Sequence, residues 1–239
     1  MKRHRTAFVF QPRTAFAVFV VLTLVLPRQI SAQHIVNPNE LTPTLYELLD
    51  SEWAGLMRES PEWATGIGYP GENDRWSDIS EEGNIRRRDQ MSEFLGTLEL
   101  GNRINYLDDD DSRLDYEFAR RWASDALDGY RFHDELLPIS QIYGVQLDIP
   151  STLDRQPHKS VQDYQDIFSR LSAIPTLIEQ TIVLMQHGID RKITQPKIIM
   201  RDVPEQILEL IPPDSVRTPL LSAFYDLPES LPATTRLEL

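Results

Sequence analysis

From Leu45 onwards, apolar residues recur every three or four positions, which is the spacing of one helix face. We expect this first helix to begin at Thr42-Pro43, with threonine as the N-cap and proline at the first helical position. Ser60-Pro61 repeats that signal and predicts a short second helix that carries Trp63. The apolar stripe of the first helix comprises Leu45, Leu48, Leu49, Trp53 and Leu56.

Two longer helices are predicted next, on either side of the acidic run 107–112. Ser80, followed by two glutamates, is typical of a helix start, because acidic side chains suit the helix dipole there. The buried face of this helix is expected to hold Ile85, Met91, Phe94, Leu95 and Leu98. The helix after the acidic run repeats apolar residues four apart, at Leu114, Phe118, Trp122, Ala126 and Tyr130. We expect the two helices to pack as antiparallel neighbours, with Glu117 and Arg121 paired on the surface.

Proline divides the chain into two regimes, since none lies between Pro70 and Pro138 and eleven lie from Pro138 to Pro232. Short elements are therefore expected in the second regime. Ser160 should cap a helix, and Pro175 should start or kink the next one, which ends at Gly188. The segment before Ser160 predicts a short strand or a packed loop, carried by Ile139, Ile142, Val145, Leu147 and Ile149. Short pieces should follow at Ile198 to Met200 and after Asp202-Val203-Pro204.

Residues 1–32 are typical of a secretory signal peptide. They hold basic but no acidic residues, and Thr14 to Leu26 form an apolar run that is shorter than the roughly 20 residues of a membrane span. We expect cleavage after Ala32, export to the periplasm or the exterior, and no stable membrane span afterwards. An uncleaved signal anchor is the alternative. After cleavage of the signal peptide, residues 33–239 would form one incomplete helical domain.

Composition excludes several classes of function. The chain has no cysteine, which rules out a disulfide scaffold, a cysteine-ligated zinc module and a cysteine nucleophile. Lys and Arg number 24 against 37 Asp and Glu, giving a net charge of −13, so nucleic acid is not an expected partner. Motifs for serine hydrolysis and nucleotide binding do not occur in the sequence.

Two acidic motifs resemble metal sites only superficially. The aspartate run 108–111 lacks the alternating spacing of a calcium loop, so an interhelical turn that caps the next helix explains it better. His133-Asp134-Glu135 has no second histidine three or four residues away, and we expect His133 near a helix C-terminus instead. The histidines His34, His158 and His187 are isolated in sequence. We therefore assign no catalytic, cofactor-binding or metal-binding residue in this chain.

Basic and aromatic residues have structural explanations as well. Arg86-Arg87-Arg88 would point to different faces of a helix, which favours an ion-pair network over a phosphate clamp. The expected acidic partners are Asp74, Asp78, Glu81 and Glu82. The four tryptophans, which would suit stacking on a sugar or peptide, are Trp53, Trp63, Trp76 and Trp122. Core positions are favoured for those that lie on helical stripes.

An ordered series of short motifs resembles the bacterial family called domain of unknown function 885, whose members are commonly exported. The likeness covers about residues 42–230 and depends on the order of the motifs. These motifs are Ser60 to Gly68, Trp76 to Ser80, Arg87-Arg88, Arg113 to Glu117, Asp163-Tyr164, Ser169 to Leu171, Ile174-Pro175 and Met185 to Gly188.

This resemblance implies a mainly α fold, namely the multi-helix N-terminal half of a zincin-like metallopeptidase architecture, with proline-rich irregular segments and little or no strand. In the family, a His-Glu-x-x-x-x-His-type element in the C-terminal half supplies zinc ligands and a catalytic glutamate, and a peptide would be the substrate. The sequence ends at Leu239 without such an element, so no family catalytic residue can be transferred to it.

Three hypotheses follow. In the first, the chain is the N-terminal helical portion of an exported metallopeptidase-like protein, inactive alone, with zinc held by the full-length protein and a truncated reading frame as the expected cause. The second is a natural short form that acts as a non-catalytic envelope binding or scaffold module. A calcium-dependent adhesion-type domain is the third, and only the aspartate run supports it.

Overall fold

The computed structural model describes residues 44–100, 110–213, 217–229 and 231–238. Several predictions lie outside these residues: the signal peptide, Thr42-Pro43, His34, and Asp108 with Asp109. The described chain is mainly helical and contains no strand beyond an isolated bridge between Ser140 and Tyr143. The mainly α prediction is therefore confirmed.

The first two helices are α1 (Leu45–Glu59) and α2 (Pro61–Ile67). The cap of α1 is Thr44, so the predicted start at Thr42-Pro43 is wrong by two residues. Thr44 forms a reciprocal capping box with Glu47, whereas a cap at Thr42 would place Leu45 at the position where a glutamate is needed. Helix α2 begins at Pro61, as the Ser60-Pro61 signal predicts.

Helices α3 (Glu81–Glu99) and α4 (Asp110–Gly129) lie side by side. The ring centroids of Phe94 in α3 and Trp122 in α4 are 6.0 Å apart. Arg87, earlier in α3, is close enough to Tyr130, just after α4, to lower its pKa. The two helices therefore run in opposite directions. The predicted antiparallel pair is confirmed. Together with α1 these helices enclose the first core cluster, which comprises Leu45, Phe94, Leu98, Tyr116, Ala119 and Ala123.

Two details of this pair differ from expectation. Ile85 and Leu114 are exposed rather than buried, because the apolar face of α4 follows Tyr116, Ala119 and Ala123. Surface pairing also differs, since Arg121 bonds to Asp125 and Glu117 to Arg120. The four-residue spacing indicated a helix correctly, and Trp122 of the predicted stripe packs on the core cluster, but the fully buried positions are Tyr116, Ala119 and Ala123.

The proline-rich half contains longer helices than its composition predicts. Helix α5 (Val145–Arg155) replaces the expected strand or loop and contains Pro150. Helix α6 (Val161–Asp190) is continuous through Pro175, so the predicted division at that proline is wrong. Packing of these helices on one another outweighs the hydrogen bonds that their prolines remove. The Ser160 cap is confirmed as a capping box with Asp163.

Gly188 does not end α6. A Cβ atom at this glycine would lie 2.6 Å from the carbonyl oxygen of Ile193 and 2.9 Å from that of Leu136. The glycine therefore permits a close approach between backbones inside the helix, which runs two residues further, to Asp190.

The remaining elements are short. Helices α7 (Lys197–Met200), α8 (Val203–Glu209) and α9 (Ala233–Glu238) have four to seven residues. Three 3₁₀ segments cover Tyr130–Phe132, Asp134–Leu136 and Pro219–Phe224. Both predicted pieces, at Ile198 to Met200 and after Asp202, are confirmed as helices.

The second core cluster joins α5 and α6 to the last 3₁₀ segment. Its buried members are Trp76, Ile149, Leu153, Tyr164, Ile167, Leu177 and Leu231. Among the described helices, α6 alone is long and apolar enough to cross a membrane by length and composition. Core helices of soluble proteins meet the same two criteria, and one face of α6 packs in this cluster.

A fully buried arginine, Arg170, links α6 to the segment around α2. Its guanidinium donates to the carbonyl oxygens of Arg75, Pro61 and Glu72, and to the side chains of Gln156 and Thr65. The indole of Trp76 lies 5.2 Å from the guanidinium carbon and donates to the carbonyl of Arg170. Burial lowers the pKa of Arg170 to about 10, so the group stays cationic at neutral pH.

Candidate functional site

An open cleft of about 700 Å³ lies between α1, α3 and α4. Its floor is apolar and is formed by Leu48, Met91, Phe94 and Trp122, which belong to or pack against the first core cluster. Around that floor stand six acidic and two basic side chains, namely Glu52, Glu59, Glu93, Asp125, Asp134, Glu135, Arg58 and Arg87. The volume is within the range of small-molecule and peptide-side-chain pockets, about 300–1,000 Å³.

Glu52 is the most perturbed acid of the cleft. It projects from the middle of α1 and is half-buried, and within the described residues no hydrogen bond or ion pair compensates its charge. Desolvation by burial raises the pKa of its carboxyl from 4.5 to about 7. At neutral pH the group can therefore gain or lose a proton, as a general acid or base does.

The end of the cleft nearest the C-terminus of α4 is also acidic. The Nδ1 atom of His133 lies 3.1 Å from Oε1 of Glu135, while Oε2 of Glu135 is buried and has no hydrogen-bond partner among the described residues. Burial raises the pKa of the nearby Tyr130 hydroxyl, neighbouring arginines lower it by a smaller amount, and neighbouring acids add to the rise. A buried carboxylate oxygen without a hydrogen-bond partner is costly, so the placement of Glu135 in this turn destabilises the fold locally.

Of the two basic residues of the rim, Arg87 is already engaged, whereas Arg58 has no hydrogen bond or ion pair among the described residues. Arg87 donates to the carbonyl oxygen of Asp78 and to Asn84, and its Nη1 lies 3.7 Å from Oε2 of Glu59. Glu59 also accepts two hydrogen bonds from Arg86. Glu59 is thus paired with Arg86 and Arg87 at the rim, whereas Glu135 contacts only His133 and Glu52 has no partner among the described residues.

The described residues do not form a metal centre. They hold no group of three His, Cys, Asp or Glu side chains that could bind a metal ion. Zinc, which the family resemblance implies for full-length members, therefore has no donor set among these residues, and we derive no reaction step through it.

The candidate residues of the sequence lie in several separate places. His133 is at the C-terminus of a 3₁₀ turn in the left-handed conformation, with Glu135 as its partner. His158 contacts the carbonyl of Gln156, and His187 lies 3.7 Å from Glu81. The aspartates Asp110 and Asp111 form the first turn of α4, in agreement with the interpretation as a helix start.

The three consecutive arginines belong to ion pairs, as predicted. Arg86 bonds to Asp78, which was expected, and to Glu59, which was not. Arg88 pairs only with its neighbour Asp89 among the contacts described. Two of the other expected partners are used differently, since Asp74 pairs with Arg75 and Glu81 lies near Arg191.

The tryptophans divide between core and cleft. Trp76 is buried beside Arg170, and Trp53 packs edge-on against Trp63 with ring centroids 5.3 Å apart. Trp122 packs on the first core cluster and also lines the cleft, so it is the tryptophan placed to contact a ligand.

Sequence reasoning missed Glu52, although a signal was present. Leu45, Leu49 and Leu56 define the packed side of α1, and Glu52 occupies the same side at the spacing where another apolar residue belongs. A single carboxylate within an apolar stripe indicates a half-buried charge. Glu135 gave no such signal, because its burial depends on a 3₁₀ turn.

Comparison with curated proteins finds no match. A family model does match residues 61–237, which cover α2 to the last helix, and its description is bacterial protein of unknown function (DUF885). The match includes the buried arginine and most of the residues that line the cleft, whereas Glu52 precedes it, and it overlaps the range over which the motifs resemble the family. The chain therefore belongs to the DUF885 family of bacterial proteins of unknown function.

Proposed function

We propose that this chain is the N-terminal helical portion of an exported metallopeptidase-like protein, in which it forms one wall of the substrate cleft. The observation that carries the proposal is the open cleft, which combines an apolar floor with inward-facing carboxylates. In this reading the zinc-binding element lies in a part of the protein other than these residues, and the present chain alone binds without cleaving.

The cleft has the surface that peptide binding needs. Phe94, Met91 and Trp122 offer an apolar platform for side chains, and the surrounding carboxylates accept hydrogen bonds from N–H donors. The family resemblance supplies the reaction class, and the cleft supplies the role of these residues within it. Substrate positioning is thus the contribution assigned to this chain.

A peptide library tests this proposal. The product of the complete natural gene, loaded with zinc, should cleave library members, and a chelator should abolish the cleavage detected by mass spectrometry. This 239-residue chain, assayed in parallel, should leave every peptide intact. Failure of the zinc-loaded full-length protein to cleave any peptide would show that the proposal is wrong.

A second candidate is a non-catalytic envelope binding or scaffold module. The observation that favours it is an exposed apolar stripe on α6, formed by Phe168, Ile178, Ile182 and Ile189. Such stripes mark contact surfaces for other proteins. Sequencing of the source DNA beyond the codon of Leu239 separates the two, since a continuing frame with a His-Glu-x-x-x-x-His-type element favours the peptidase and a stop codon favours the module.

A further inference from the structure

Helix α6 is apolar on two sides, and the described residues cover only one of them. Leu177 and Leu184 lie on the covered side and are buried. The other side carries four large residues that are 40–59% exposed, namely Phe168, Ile178, Ile182 and Ile189. Helices that are apolar on more than one side are normally covered on each of them, so the exposed side of α6 is a surface on which we expect a partner.

The exposed residues of this side are almost free of charge, in contrast to those of α3 and α4. From Phe168 to Ile189 the helix has eleven exposed residues, and Glu179 is the one that is charged. In α4, seven of the eight exposed residues are charged, and in α3 the proportion is seven of ten. Helix faces that meet water are normally polar, so this strip of α6 differs from the solvated faces of the same molecule.

The apolar residues of the strip have the spacing of a coiled-coil seam. One row, with a residue at every seventh position, comprises Phe168, Pro175, Ile182 and Ile189. The second row, three positions further on, comprises Leu171, Ile178 and Met185, of which the first and last are partly buried. Such seams pack against an equivalent seam, because each side chain fits between those of the facing helix. No other described helix exposes apolar residues in this pattern, and a second copy of the chain brings the same seam.

Lipid fits this side less well than protein does. Helices that lie on membranes carry lysine and arginine beside their apolar face. The one arginine of α6 is Arg170, which is fully buried, and the acidic residues Asp163, Asp166 and Glu179 would be repelled by anionic lipid. Insertion of α6 across a membrane would break the hydrogen bonds of Arg170 to the segment around α2.

We infer that two copies of this chain associate through the exposed side of α6, in a symmetric dimer whose two seams pack on one another. The strip from Phe168 to Ile189 is about 32 Å long and about 10 Å wide, and two such strips would remove roughly 1,000 Å² from water, the lower limit for a specific interface. The dimer is therefore weak, with a dissociation constant of about 1–100 µM. No residue of α6 lines the cleft, so this inference goes beyond the proposed function and does not depend on it.

Sedimentation velocity of the full chain over a range of concentrations tests the inference. We expect a monomer at about 0.5 µM and mostly dimer at about 200 µM. Salt should strengthen the dimer, because it screens the repulsion between two acidic chains and leaves the apolar contact intact. A chain that stays monomeric would overturn the inference, whether it then floats with phosphatidylcholine vesicles, which would identify lipid as the cover, or stays in solution. Association that weakens with salt would overturn it as well.

A pair of variants locates the contact. Ile182→Glu places a carboxylate in the seam of both copies and should weaken the dimer at least about tenfold, while the 59% exposure of Ile182 leaves folding intact. The matched control is Leu114→Glu, which adds the same charge at a 68% exposed leucine of α4 and should leave the dimer unchanged. A dimer that persists in Ile182→Glu, or one that both variants weaken equally, would reject this interface.

Crosslinking gives a second measurement without a disruptive charge. Because the chain has no cysteine, Ile178→Cys introduces a single thiol, close to the middle of the strip. The middle of one strip faces the middle of the other in either orientation of the two helices, so a short bismaleimide should join two copies of this variant. Leu114→Cys, the matched control, should stay uncrosslinked at the same concentration. Equal yields from the two variants would contradict the inference.

Discussion

The two core clusters treat buried charge in opposite ways. In the second cluster, Arg170 is fully buried and each of its three guanidinium nitrogens donates a hydrogen bond. In the first, Glu52 is only half-buried and has no partner within the described residues. Polar groups that are completely satisfied hold a fold together, whereas an unsatisfied one beside an open cleft is available to a ligand.

The surroundings of the two groups explain this difference. Arg170 faces backbone carbonyls of a loop-rich segment, which would otherwise be buried without donors. Glu52 lines a cleft between helices, whose backbone N–H groups are already bonded within each helix, and no side chain of the described residues bonds to it. Substitution of Arg170 should therefore affect mainly the free energy of unfolding, and substitution of Glu52 mainly the pH dependence of that free energy.

Replacement of Arg170 should have the largest effect. Arg170→Met keeps much of the side-chain volume but leaves several buried acceptors without a donor, and we expect a loss of about 3–5 kcal/mol in the free energy of unfolding. Urea denaturation followed by tryptophan fluorescence measures it. Arg120→Met is the matched control, since Arg120 is exposed and pairs only with Glu117, and it should cost under about 1 kcal/mol. Similar losses for both would contradict the central role of Arg170.

Gly188 in α6 can be compared with Gly96 in α3, which belongs to the region of the first cluster. Gly188→Ala places a Cβ atom against two backbone oxygens, and we expect a loss of about 2–3 kcal/mol. Gly96→Ala in α3 meets no atom within 4 Å and should instead stabilise the protein by about 0.5–1 kcal/mol. Thermal unfolding of the two variants should move in opposite directions. A stable Gly188→Ala protein would show that α6 and the Leu136 segment can separate.

Glu52 should make stability depend on pH. Because its pKa is about 7 in the folded state and 4.5 ordinarily, its favourable contribution is complete below about pH 4.5 and is lost as the pH rises through 7. Glu52→Gln should therefore stabilise the protein at pH 8, by about 1–2 kcal/mol after solvent screening, and change little at pH 4.

The control for this effect is in the second cluster. Burial likewise raises the pKa of Asp148 in α5, to about 6, although a hydrogen bond from the Gly144 backbone partly offsets it. Asp148 does not line the cleft. Asp148→Asn should thus reduce the pH dependence of unfolding without changing peptide binding. Urea midpoints measured from pH 4 to 8 would show the change in pH dependence for both variants, Glu52→Gln and Asp148→Asn. An unchanged pH profile in Glu52→Gln would exclude a raised pKa.

The arginine triplet should give the smallest effect. Arg86 is partly exposed and bonds to Glu59 and Asp78, so Arg86→Ala should cost about 0.5–1 kcal/mol and less in 1 M NaCl. Arg88→Ala removes only a contact with Asp89 and should have almost no effect. A loss above about 2 kcal/mol for Arg86, unchanged by salt, would mean that the network is structural rather than superficial.

Local signals in the sequence predicted most helix starts but not the helix faces or the effect of proline. The caps at Ser60, Ser80 and Ser160 depend on residues close in sequence, and each is at the predicted place. The stripe of α4 and the continuity of α6 depend on packing partners far along the chain, which a single sequence does not reveal. Some ion-pair partners were not predicted for the same reason, as in the pair of Arg86 with Glu59.

The site was less predictable than the fold. Motif searches look for groups of ligands or nucleophiles, and this cleft is defined instead by one carboxylate on an apolar stripe and another in a 3₁₀ turn. The first could have been found from its position in the stripe. The second required the turn that buries it.

The contacts of Arg170 also determine the order in which parts of the chain can fold during its synthesis. Its partners from Pro61 to Arg75 precede it by about a hundred residues, which corresponds to roughly 5–20 s of translation at typical bacterial rates. During that interval these carbonyl groups lack the donor that Arg170 provides in the folded chain. Closure of the second cluster is therefore a late event in the biogenesis of this protein, and a nascent chain released before α6 emerges would present its α2 region to proteases.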